Sequence, residues 1–148
     1  MTDAPAPVAV AAGLVAAYVD RDARRAQALV DGISDGRRRR LLRTLGALAT
    51  STRIAVSTPD GQVPGYGDAR QLDVRVHEVL GQVAGVDTEA ALHAYLQGPR
   101  DALEEDPAEV AAMVHAAAAY TAVLMESRPI PPTVLADGLR EMARCARP

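Results

Sequence analysis

Apolar residues recur along this chain at three- and four-residue steps, a spacing that predicts one helix after another. Val8, Ala11, Ala12, Val15 and Val19 mark a first helix over about residues 7–20. Asp22 is placed to cap a second, "ARRAQALVDGIS", which Gly32 ends. Ser34 or Asp35 caps a third, whose stripe holds Leu41, Leu45, Leu48, Ala49 and Thr52. At about 100° per residue Ile54 falls opposite that stripe, so the helix is expected to end near Thr52. "RIAVSTPDGQV" then alternates around a Pro-Asp-Gly turn, which fits a short β-hairpin over residues 53–63 or an irregular loop, and "PGYGD" continues as loop.

Leu72, Val76, Val79, Leu80 and Val83 predict a helix over about residues 69–84, with Gly85 as its stop. "EAALHAYLQ" follows, between Asp87-Thr88 and Gly98-Pro99. Asp106-Pro107 then opens a helix reaching about Ser127. It has a capping aspartate, a proline at the first helical position, and Glu109 near the positive end of the helix dipole. "RPIPP" breaks it, and Val134, Leu135, Leu139 and Met142 mark a last helix over about residues 133–146. Six or seven helices with no internal repeat predict an all-α, single-domain helical bundle over residues 1–148.

Two apolar runs raise the question of export or a membrane. "PAPVAVAAGLVAAYV" follows Asp3 with no positive residue ahead of it, so it is read as a helix and not a signal peptide. "VAAMVHAAAAYTAVLM" is 16 residues long and contains His115. It reads as the buried central helix, too short and too alanine-rich to span a bilayer.

Composition changes this picture in one respect. Phe and Trp are absent, and much of the apolar content is alanine. A core with few large side chains gains its contact area through close helix approach. The single cysteine, Cys145, excludes an internal disulfide framework and suits a reducing, cytoplasmic setting.

Charge is unevenly spread. All 16 cations are arginine. From Arg21 to Arg53, nine arginines face three aspartates, a balance of +6 in a chain whose net charge is −3. The centre of this segment is "RRRR", Arg37 to Arg40. Four consecutive helical residues cannot share a face. Arg37 and Arg38 flank the apolar stripe, where their stems can cover hydrophobic surface, whereas Arg39, Arg40 and Arg43 project outward together. Cations in a first helical turn oppose the helix dipole, so local helix energetics do not explain them. A solvated collar, a contact with an acidic protein surface such as "DALEEDPAE" (residues 101–109), and a grip on nucleic-acid phosphate are the three readings. The acidic pI near 5.6 and the lack of Lys, Asn and aromatics in the segment place nucleic acid behind a protein contact.

No Gly-rich phosphate loop, nucleophile elbow or H-E-x-x-H occurs, and without lysine neither Schiff-base chemistry nor a lysine-dependent P-loop is available. His77, His93 and His115 lie on three separate helices without the acid spacing of a di-iron bundle, so no metal or cofactor is assigned. Tyr120, five residues and about 140° from His115, faces elsewhere. The expectation is a non-enzymatic regulatory or scaffolding protein that binds another protein or a second copy of itself, with no membrane contact. Arg39, Arg40 and Arg43 are its candidate contacts, and Asp60, Gln62 and Tyr66 form a candidate contact loop. A DNA-binding regulator using helix 37–52 with the "TPDG" turn as a wing is the first alternative. A helical small-molecule pocket near His115 and Tyr66 is the second.

Overall fold

A computed structural model describes residues 7–66, 69–83, 92, 93, 95, 96, 107–127 and 132–145. Six helices are formed among them: α1 (Pro7–Val19), α2 (Ala23–Asp31), α3 (Asp35–Val56), α4 (Ala69–Val83), α5 (Pro107–Glu126) and α6 (Pro132–Cys145). Leu92, His93, Tyr95 and Leu96 are also helical, within the stretch where a helix over residues 89–97 is expected. The rest of that stretch, the capping Asp106 and most of the acidic 101–109 segment lie outside the described residues. The all-α bundle expected from the sequence is what the structure shows, and no described helix is long and apolar enough to cross a membrane.

Proline punctuates the chain as its chemistry dictates. Pro7, Pro107 and Pro132 each open a helix, at a position where the missing N–H costs nothing. Asp22 caps α2 by accepting the Arg25 backbone N–H at 3.1 Å. Ser34 takes the N-cap backbone position of α3 without a side-chain cap bond, and Asp35 instead pairs with Arg38 one turn on.

α5 is the hub. It packs against each of the other five helices, most extensively α3, while α1 packs most extensively on α6 and also meets α2, α3 and α5. Both α1 and α5 are therefore surrounded. Ala11, Ala12, Ala16 and Ala17 of α1 and Ala116 to Ala119 of α5 are fully or almost fully buried, as close packing through alanine requires. The larger side chains of the core are Tyr18, Leu14, Leu41, Leu42, Leu45, Leu72, Leu80, Met113 and Leu124. Val8, expected on the α1 stripe, is exposed.

The expected end of α3 and the β-hairpin over residues 53–63 are both corrected. α3 continues to Val56, and no strand forms among the described residues. Leu41, Leu45, Ala49, Thr52 and Val56, all buried, are spaced by four, four, three and four residues, so Val56 extends the stripe by one more turn. Burying Val56 outweighs leaving Ile54 in water, and Ile54 is 74% exposed. The turn itself does form. Gly61 N–H donates to Thr58 O at 2.9 Å and Thr58 N–H to Gln62 O at 2.8 Å, with Gly61 at φ +80°. That left-handed residue is where glycine is needed to reverse the chain.

Candidate functional site

The structure separates the four arginines. Arg38 turns back onto the end of α2: its Nε donates to Val30 O at 3.0 Å and its Nη1 to Asp35 Oδ1 at 3.0 Å. It thus satisfies a carbonyl at a helix C-terminus, where a cation is favoured. Arg37 and Arg40 edge a small hollow of about 60 Å³ with Pro7, Val10, Ile33 and Leu41. Arg39 is half-buried, and Arg40 and Arg43 are exposed.

The register of α3 explains this division. Shifting the buried stripe by two residues, about 200° around the helix, gives Arg39, Arg43, Ala47, Thr50 and Ile54. That second stripe lies opposite the core and runs the length of the helix, about 33 Å for 22 residues. It begins basic and ends apolar. Among the described residues, Arg21, Arg38, Arg75, Arg140 and Arg144 are paired with carboxylates, whereas no described carboxylate forms a salt bridge with Arg40 or Arg43.

The α2–turn–α3 outline does not form a tightly packed helix pair. α2 rests on α1, α4 and α5, and its link to α3 is chiefly the turn and the Arg38 side chain. In the 57–66 loop, Asp60 and Gln62 are exposed at the tip, but Val63 and Tyr66 turn inward. Tyr66 lies close to Arg75, and burial, ahead of the nearby charges, pushes its phenol pKa up. Arg75 Nη2 in turn lies 4.0 Å from Glu126, which Arg21 holds with two nitrogens at 2.9 and 3.1 Å. Arg21 is the one described non-glycine residue at positive φ, +58°, and this grip on Glu126 together with its contact to Tyr18 O holds it there. Tyr66 is therefore part of a structural clasp joining the loop, α4, the α1–α2 corner and the end of α5.

Two tyrosine contacts on α5 were not legible in the sequence. Tyr18 OH and His115 Nδ1 lie 2.7 Å apart inside the core, joining α1 to α5. Burial pushes the His115 pKa down to about 4, with Asp31 opposing weakly, and pushes the Tyr18 phenol far up. His115 thus stands neutral as a packed core residue. On the other side of α5, Arg53 Nη1 donates to Tyr120 OH at 2.8 Å, and Tyr95 meets Tyr120 with ring centroids 6.0 Å apart. These three residues line an open cleft of about 380 Å³ with Gly46, Ala49, Thr50 and Leu96. The sequence does place Tyr120 away from His115, but the expectation of a hairpin after Thr52 hides Arg53. Tyr18 and His115 are 97 residues apart, a pairing no periodicity announces.

Among the described residues no three His, Cys, Asp or Glu side chains gather as metal ligands. No protein-family profile, curated protein or solved structure matches the chain.

Proposed function

We propose that this chain is a non-enzymatic interaction module that binds an acidic segment of another protein along the outer face of α3. The observation that carries this reading is the exposed stripe opposite the core, on which Arg43, with Arg40 beside it, is not neutralised by any described carboxylate and leads into exposed Ile54. An unmatched guanidinium at the edge of an apolar strip suits a carboxylate on a partner that also buries hydrophobic side chains. Arginine is favoured at such contacts because its planar fork pairs bidentately with carboxylate.

Two features favour protein over nucleic acid. The stripe turns apolar and small-sided after Arg43, where a groove-reading helix would carry further donors. α2 and α3 also do not pack as a helix-turn-helix pair. Burial of the α1 and α5 alanines within one chain supports a partner other than a second copy.

The test is a polarisation assay with a labelled amphipathic peptide rich in Glu and Leu, run beside labelled duplex DNA across a salt series. The reading predicts saturable peptide binding that weakens with salt and falls about tenfold in an Arg40→Ala/Arg43→Ala variant, which loses two contacts of about 0.5–1 kcal/mol each. Peptide binding unchanged in that variant would remove these residues from the account. Tight DNA binding without peptide binding would replace the protein partner with nucleic acid.

A further inference from the structure

We propose that the cleft between α3 and α5 is a binding site for a small aromatic carboxylate, with Arg53 and the Tyr120 hydroxyl receiving the carboxylate and the Tyr95 and Tyr120 rings packing its body. This goes beyond the protein contact above and shares only Thr50 with its stripe.

The cleft is lined by Gly46, Ala49, Thr50 and Arg53 of α3, Tyr120 of α5, and Tyr95 and Leu96. Its volume of about 380 Å³ falls in the range of small-molecule sites, and its lining has their composition, apolar surface with a few convergent polar groups. Arg53 supplies the charge. Its partner across the cleft is a neutral phenol, and no described carboxylate forms a salt bridge with it. Because the Tyr120 oxygen accepts from Arg53 Nη1, the phenol proton is directed elsewhere and remains available as a donor. A guanidinium and a hydroxyl donor side by side match the two oxygens of one carboxylate. Burial pushes the Tyr120 phenol up and the Tyr95 phenol up to about 12, so both keep their protons at neutral pH.

A single cation and no further described positive group in the lining suit a monoanion better than a phosphate dianion. The body of the ligand is specified by the rings. Tyr95 and Tyr120 are tilted by 55° at a 6.0 Å centroid distance, an arrangement that a third ring can join, with Leu96 and Ala49 completing an apolar wall. Gly46 leaves room beneath them: a Cβ built there meets nothing within 4 Å, so packing does not require a glycine at this point of the helix.

The experiment titrates the full chain with 2-naphthoate and follows the tyrosine ring resonances, which four Tyr→Phe variants assign. The site predicts saturable shifts of Tyr95 and Tyr120 with Tyr18 unmoved. Arg53→Gln weakens binding about tenfold or more, as does the neutral analogue 2-naphthalenemethanol, because each removes a charge-assisted pair. Gly46→Leu abolishes binding while the protein stays folded, since the added side chain enters the open cleft and leucine favours helix. The Arg40→Ala/Arg43→Ala variant binds 2-naphthoate normally, which separates this site from the protein contact. No saturable shift up to about 10 mM, a concentration that reveals even millimolar sites, overturns the proposal. Undiminished binding in Arg53→Gln, or an equal affinity for the neutral analogue, overturns it as well.

Discussion

α5 holds a tyrosine contact on each of two faces, and the two have opposite fates. At the α1 face, Tyr18 and His115 meet 2.7 Å apart, with Tyr18 fully enclosed and His115 3% exposed. At the α3 face, Tyr120 meets Arg53 at 2.8 Å beside an open cleft. The chemistry of the contacts is similar: a phenol against a side-chain nitrogen. Exposure of the nitrogen partner is what differs: Tyr120 is itself 5% exposed, but Arg53 stands in water where His115 does not. Inside, an unmade bond has no substitute, so the pair fixes the packing of two helices. At the cleft, water or a ligand can take the place of the Tyr120 hydroxyl at Arg53, so the guanidinium is free to serve binding.

The largest expected effect that separates the two faces is in acid. His115 binds its proton more weakly folded, near pH 4, than unfolded, near pH 6.5. Its contribution to stability is therefore complete above about pH 6.5 and is lost as pH falls through about 4, a span worth on the order of 3 kcal/mol. Urea melts across that interval read it directly, and a His115→Leu variant, less stable at neutral pH, should show a shallower decline over the same range.

Next in size is the pair of phenol deletions. Tyr18→Phe leaves His115 Nδ1 buried without its partner and should cost about 1–3 kcal/mol in chemical denaturation. Tyr120→Phe should cost less than about 1 kcal/mol, because the exposed Arg53 guanidinium turns to water. Equal losses would erase the distinction between the two faces. Gly46→Ala should stabilise α3 by about 0.5–1 kcal/mol, since it removes the entropic cost of a mid-helix glycine and meets no neighbour.

The smallest effect is expected at the outer stripe of α3. Arg40→Ala/Arg43→Ala should change stability by no more than about 0.5 kcal/mol, as befits exposed side chains without ion pairs to described residues. A large loss there would mean that these arginines are held by the fold and are not available to a partner.

What the sequence disclosed depended on how local the signal was. Helix starts at Pro107 and Asp22-Ala23 follow from single residues whose chemistry permits little else, and the structure has them there. The end of α3 is hidden from the sequence because a local rule, that an off-face Ile54 ends a helix, competes with burial of Val56 one turn further along. The outer stripe is legible in part: Arg40 and Arg43 are exposed as helical geometry requires, but Arg39 is half-buried, and the apolar continuation to Ile54 requires the extra turn. The inward placement of Tyr66 depends on Arg75 and Glu126, far along the chain, and the cleft depends on α3, α5 and Tyr95 meeting. Periodicity describes one element at a time, so such juxtapositions lie beyond it.

The outer face of α3 as the binding surface is tested most directly by mapping backbone amide shifts of the isotope-labelled chain on adding the Glu/Leu-rich peptide. The account predicts shifts along Arg39, Arg43, Ala47, Thr50 and Ile54, with the amides around Tyr18 and His115 unmoved. Shifts confined to α4 or α6, or none at saturating peptide, would contradict it.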